Sequence, residues 1–191
     1  MKTDLSKYDN SWYQPGGRLK ILLWYFTNAL FFQNTLNPSS GLKVALLKLF
    51  GAKIGSGVVV KPGVNIKYPW KLTVGNHCWI GEKVWIDNLA EVTIGSNVCI
   101  SQGAMLLCGN HNYKKTTFDL IVKEIVLEDG VWIGAQCVVC PGVSCHSHSI
   151  LSVNSVANKD LEAYTIYQGN PAVKVRQRIP DEITSSAIAS S

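Results

Sequence analysis

The stretch from Val74 to Leu106, VGNHCWIGEKVWIDNLAEVTIGSNVCISQGAML, decides the fold. An aliphatic residue returns in it every six positions: Val74, Ile80 and Ile86, then Ile94, Ile100 and Leu106. Working outward, Ile54, Val60 and Ile66 precede it on the same period. After a break, Leu127, Ile133, Val139, Cys145, Leu151 and Ala157 follow. The residue after the aliphatic is often glycine, as at Gly55, Gly75, Gly81, Gly95 and Gly134. The residue four after it is small or β-branched, from Val58 and Cys78 to Ser149 and Ser155. A period of six fits neither the 3.6 of a helix nor the two of a simple strand. It is the mark of a parallel β-helix built from hexapeptides. Ile54, Val74 and Ile94 open successive coils 20 residues apart, three hexapeptides plus two residues. The two extra residues fall in Leu72–Val74 and Val92–Ile94, and Ile125–Leu127 repeats the pattern. These predict slightly longer opening strands, with each coil rising by about 4.8 Å.

The 191 residues suffice for one domain with a helical appendage. The expected division is a helical cap or membrane-surface segment over 1–50, a β-helix over 51–178 and a flexible tail over 179–191, which is rich in Ser and Ala from Ile183 on. A hydrophobic content of 47% is ample for a core, and the net charge is +5. There is no basic run interleaved with aromatics and no nucleic-acid motif, which argues against a nucleic-acid partner. A phosphorylated cofactor or an anionic membrane surface fits the modest excess better. Of the six cysteines, Cys78, Cys137 and Cys145 occupy repeat positions, and Cys140 and Cys145 make no C-x-x-C pair. Free buried thiols in a reducing, cytoplasmic compartment are the simple reading. Residues 1–10 are charged and lack an apolar core segment, so no secretory signal is expected.

Residues 18–36, RLKILLWYFTNALFFQNTL, read as a helix between Pro15-Gly16-Gly17 and Asn37-Pro38. Residues 41–50, GLKVALLKLF, read as a second, amphipathic helix with Lys43 and Lys48 on its polar side. Two roles compete for this zone. The helices can cover the open end of the β-helix, as solenoid caps do. Alternatively Trp24, Tyr25, Phe26, Phe31 and Phe32 can dip into a membrane interface, peripherally at the inner face. Both can hold together.

The ladder has one large interruption. A coil beginning at Ile94 would end near residue 113, yet the next opens at Leu127. A loop is therefore ejected around Gly109–Leu120, and solenoid insertions usually lie on the working face. It carries His111, one of only four histidines, and imidazole is the natural general base near neutral pH. His77 falls at a turn, and His146 and His148 are separated by a corner, which argues against a metal pair.

The ladder, this loop and Gly169-Asn170-Pro171-Ala172 together resemble the hexapeptide-repeat acyltransferases, a left-handed β-helix family. Within it the chain is similar to the colanic acid and exopolysaccharide type of O-acetyltransferase. The stretches carrying the likeness are Leu49–Gly55, Tyr68–Leu72, Gly109–His111 and Gly169–Val173. The resemblance implies an acetyl-CoA-dependent homotrimer with active sites between subunits. It implies His111 as the base that deprotonates an acceptor hydroxyl as the oxygen attacks the thioester. No covalent acyl-enzyme is needed, and no G-x-S-x-G elbow is present. It places the pantetheine arm near Ala135 and Val153, with Lys159 on the cofactor and Lys174 and Arg176 toward its 3′-phosphate. Lys174 comes one residue later than the usual family ending, with Val173 intervening. On the acceptor side, Trp85, Asp87 and Asn88 supply an aromatic and polar groups for a sugar or lipid-linked glycan. Asp119 either orients His111, as carboxylates do for catalytic imidazoles, or only stabilises the loop. No metal is expected.

A carbonic-anhydrase-like protein would need three histidines on zinc. Thr116 stands where that pattern needs one of them. A non-catalytic scaffold or binding protein is the rival class, and it predicts that His111→Ala changes nothing.

Overall fold

A computed structural model describes residues 2–179. The expected tail therefore lies outside the described residues, Ile179 aside. The chain winds as a left-handed parallel β-helix of about six turns, with a helical segment at its N-terminal end. Two- and three-residue strands stack into three walls. One wall runs through Ile54, Val74, Ile94, Leu127 and Cys145, partnered in that order. The second runs through Val60, Ile80, Ile100, Ile133, Leu151 and Tyr167. The third runs through Ile66, Ile86, Leu106, Val139 and Ala157. Three-residue strands open coils at Leu72–Val74, Val92–Ile94 and Ile125–Leu127, as the spacing predicts, and also occur in the third wall at Trp85–Asp87 and Met105–Leu107.

The hexapeptide explains this geometry locally. Its aliphatic residue points into the prism, and Ile80, Ile86, Ile100 and Leu106 are all buried there. Each such burial contributes about 1.5–3 kcal/mol relative to exposure. The glycine that follows lets neighbouring coils approach closely. A Cβ on Gly134 would lie 2.7 Å from the Leu151 carbonyl oxygen and from the Val153 nitrogen. At one stack of corners the backbone is left-handed, by glycine at Gly57 and Gly130 and by His77, Asn97 and His148 elsewhere. His77 is thus a corner residue.

The N-terminal helices cover the first coil. Helix α1 spans Arg18–Thr27 and α2 spans Ser40–Leu49. Trp24, Phe32 and Leu47 join the solenoid core. Polar atoms of the cap also satisfy backbone groups that an open edge would expose. Ser40 Oγ accepts from Val60 N at 2.8 Å, and Trp24 Nε1 donates to the Ile66 carbonyl at 2.7 Å. Asn28 Nδ2 donates to Asn65 Oδ1 at 2.7 Å.

Three helical expectations are corrected. The first helix does not run to Leu36: α1 passes into a π turn, Asn28–Phe32, and stops. Asn34 and Asn37 side chains bond nearby backbone at Leu36 N and Phe31 O, competing with further helix. Lys43 is not on a polar face. It is fully buried, its Nζ donating to the Asn37 carbonyl at 2.7 Å, and burial pushes its pKa down. Trp24 and Phe32 are buried and so unavailable to a membrane, whereas Tyr25, Phe26 and Phe31 are exposed. Among the described residues no helix is long and apolar enough to cross a bilayer.

At the far end, Thr165–Gly169 and Ala172–Gln177 form an antiparallel hairpin around Asn170-Pro171. Lys174 and Arg176 therefore lie on a paired strand. Arg178 Nη1 fastens it by donating to the carbonyls of Gly130 and His148.

Candidate active site

The ejected loop is itself a β-hairpin. Gly109–His111 pairs antiparallel with Leu120–Val122, placing His111 opposite Leu120. Its base is tied to the solenoid by Cys108 N donating to the Asp87 carbonyl at 3.2 Å. His111 Nδ1 lies 3.0 Å from the Phe118 carbonyl oxygen. A carbonyl only accepts, so Nδ1 is the donor, and in the neutral ring the lone pair lies on Nε2. Phe118 adopts a left-handed φ of 54°, which turns its carbonyl toward the imidazole. Its ring also stacks on His111, with centroids 4.5 Å apart and planes within 8°. Phe118 thus fixes both tautomer and ring orientation, the task expected of Asp119. The Asp119 carboxylate instead pairs with Lys115 at 2.9 Å. That contact and a hydrogen bond with Thr117 hold its pKa below the usual value.

His111 lines a cavity of about 470 Å³ between the hairpin, the corner carrying Lys67, Tyr68 and Asp87, and the N-terminal segment. That segment contributes Tyr8, Asn10, Tyr13 and Pro15. It is fastened at both ends: Asp4 N donates to the Thr116 carbonyl at 2.8 Å, and the Pro15 carbonyl accepts from Trp70 Nε1 at 2.8 Å. Between them the Tyr13 hydroxyl donates to the Leu89 carbonyl at 2.6 Å, and burial raises the pKa of this phenol. Lys71 Nζ, its pKa lowered by burial, donates to the same carbonyl at 2.6 Å. Sequence reasoning missed this strap. Its one signal was the clustering of Tyr8, Trp12 and Tyr13.

The expected acceptor residues separate. Asp87 faces the cavity, with Lys67 Nζ 2.9 Å away. Trp85, on the outer face of its wall, lines an adjoining cleft of about 300 Å³ that shares Lys67, Tyr68 and Asp87 with the first. Asn88 is corrected: it is fully buried and spent on structure. Its Oδ1 accepts from Tyr68 N at 2.9 Å, and Nδ2 donates to the carbonyls of Tyr68 and Lys71 at 2.6 and 3.2 Å.

The expected cofactor residues divide likewise. Ala135 and Val153 meet in a groove of about 480 Å³ with Trp132, Gly134 and Ser152. This groove follows the corner between the second and third walls. The His111 hairpin leaves the corner between the third and first. The two sites therefore occupy different corners of one chain. Lys159 is exposed just after the Val156–Ala157 strand. Lys174 and Arg176 share the last strand, and Lys174 Nζ pairs with Glu162 at 2.5 Å, which raises its pKa. His146 and His148 do not converge: His146 Nδ1 lies 2.9 Å from Glu128 Oε1, while His148 stacks on Tyr164 at 4.9 Å. Among the described residues no group of three His, Cys, Asp or Glu side chains could hold a metal ion.

Comparisons with known proteins bear on this arrangement. No family model matches the chain. It is 36% identical over 170 residues to a protein of Escherichia coli K12 provisionally named a colanic acid biosynthesis acetyltransferase, covering 89% of this chain and 93% of the relative. It is 26% identical over 136 residues to the galactoside O-acetyltransferase of the same strain, covering 70% of this chain and 67% of that one. Among solved structures, a hexapeptide-repeat acetyltransferase from Vibrio cholerae complexed with acetyl coenzyme A superposes with a TM-score of 0.70 at 25% identity. That match covers 89% of this chain and 88% of the other.

Proposed function

The chain belongs to the hexapeptide-repeat acetyltransferases, and from that premise we propose that it transfers acetyl from acetyl-CoA to a sugar hydroxyl in exopolysaccharide or surface-glycan biosynthesis. The observation that carries this reading is the hydrogen bond from His111 Nδ1 to the Phe118 carbonyl. It leaves Nε2 as the basic nitrogen of a ring lining a cavity with room for a sugar. Nε2 takes the acceptor hydroxyl proton as the oxygen attacks the thioester carbon. The carbon–oxygen bond forms and the carbon–sulfur bond then breaks. The departing CoA sulfur recovers the proton from the imidazolium. Tyr8, Tyr13 and Tyr68 offer apolar faces to a pyranose, and Asn10, Asp87 and Asn110 offer polar groups. The acetyl-CoA relationship of the Vibrio cholerae structure supports the donor, and the colanic acid relative supports the acceptor class.

The donor arm lies along the groove at Ala135 and Val153, with Lys159 and Arg176 as cations for its phosphates and Lys174 available if it exchanges Glu162 for phosphate. Because that groove and His111 sit at different corners, one chain does not bring them together. A second copy must supply the missing half, which supports a trimer with sites between subunits. Asp119 serves the loop rather than the imidazole.

Incubation with acetyl-CoA and candidate lipid-linked or polymeric glycans, read by CoA release and product mass, tests this. His111→Ala is expected to lower kcat by about 10²–10⁴-fold with acetyl-CoA affinity unchanged. Full turnover in that variant would remove the base. Light scattering should give about three times the 21.0 kDa chain mass.

A further inference from the structure

The cap presents two apolar faces, and only one is used. Trp24, Asn28 and Phe32 pack inward on the first coil. On the outer side, Leu19, Leu22, Leu23, Phe26 and Leu30 recur at helical spacing and are 52–70% exposed. Single exposed leucines are ordinary, but a continuous stripe of five is not. Leu36 and Leu49 at the same end are more exposed still.

Charge is distributed with the same polarity. No acidic residue occurs between Asp9 and Glu82, whereas eight basic ones do, from Arg18 to Lys71. The 110 residues from Glu82 onward carry eight basic and eleven acidic ones. Lys43 is buried and Lys67 is paired with Asp87. Arg18, Lys48, Lys53 and Lys61 make no ion pair among the described residues. The net positive end of the solenoid is therefore the end that exposes the apolar stripe.

We propose that this end docks on an anionic lipid bilayer, with Leu19, Leu22, Leu23, Phe26 and Leu30 entering the interface and the surrounding cations meeting phosphate headgroups. An apolar helical stripe beside clustered lysine and arginine is the chemistry that anionic membrane surfaces recognise. A second copy of the chain fits less well, because apposing two such ends would bring like charges together. The residues differ in part from those the sequence suggested: Phe26 is shared, Trp24 and Phe32 are spent on the core, and leucines take their place. The inference does not depend on acetyl transfer, since its test contains neither donor nor acceptor.

The full chain would be floated with vesicles of phosphatidylcholine alone and with about 30% phosphatidylglycerol. Partitioning to the anionic vesicles should be at least about tenfold higher and should fall as salt rises. Leu22→Glu/Phe26→Glu, at two exposed positions, should lower it at least about tenfold with an unchanged circular dichroism spectrum. Arg18→Glu/Lys48→Glu should lower it too, leaving the apolar stripe intact and keeping the test open if the first variant misfolds. Equal flotation with both vesicle types, or variants that float like the parent, would overturn the proposal. So would an absence of flotation in which Leu22→Glu/Phe26→Glu reduces the assembly mass, since the stripe would then be a contact between chains.

Discussion

Replacing Asn88 by alanine separates two roles that the residue could play. From its position beside Trp85 and Asp87 it reads as an acceptor contact. In the fold it bridges successive coils, with its amide bonded to Tyr68 N, Tyr68 O and Lys71 O at 2.9, 2.6 and 3.2 Å and no solvent exposure. Each such bond contributes about 0.5–1.5 kcal/mol net, and a buried group left without a partner costs about 1–3 kcal/mol. The Tyr68 N–H loses its acceptor outright. The Tyr68 carbonyl keeps one bond, from Lys71 N at 2.9 Å. The sum is about 3 kcal/mol of destabilisation. For a chain of this size that lowers Tm by about 6–12 °C. Thermal scans of parent and Asn88→Ala at equal protein concentration and scan rate measure it. Below the transition, where the variant is folded, KM for the acceptor should stay close to that of the parent. A variant that melts within about 2 °C of the parent yet raises the acceptor KM tenfold would refute the structural assignment.

Other perturbations test other parts of the molecule. Val153→Trp changes an exposed groove residue and should raise the Kd for acetyl-CoA by about tenfold or more while leaving Tm within about 2 °C, by calorimetry and thermal scan. Gly134→Ala pushes a Cβ to 2.7 Å from backbone atoms of the next coil and should cost about 2–4 kcal/mol in denaturant titration. Burial pushes the Cys108 thiol up to about 11, so at pH 8 only about one molecule in a thousand carries its thiolate. Iodoacetamide at that pH should spare Cys108 in the native protein and label it in denaturant, as read by mass spectrometry. Rapid native labelling of Cys108 would contradict its burial.

Much of the scaffold was legible because it is periodic. Ala135 and Val153 came from the family resemblance, and both line one groove. Asn88 was misread although the alternation of side chains along a strand would have placed it. Ile86 points inward, and two residues further along the strand the side chain points inward again. Lys43 was misread because a helical period marks faces without saying which of them meets a neighbour. A capping lysine can bury its stem and bond its ammonium to a backbone carbonyl, as here to Asn37. Phe118 left no trace at all. Its part is played by a backbone carbonyl aimed through a left-handed φ in a residue other than glycine.

The sequence by itself determined the three-walled solenoid, its coil openings, the ejected loop and His111 within it. Burial repeated every six residues is a local instruction, written again in each hexapeptide. Only the tertiary structure decided what surrounds that histidine. Asp4 meets Thr116, Tyr13 meets Leu89, and the carbonyl of Phe118 displaces Asp119 from the imidazole. The first two contacts join segments far apart in the chain, and the third depends on one backbone torsion. Neither kind of contact has a spacing that the sequence could display.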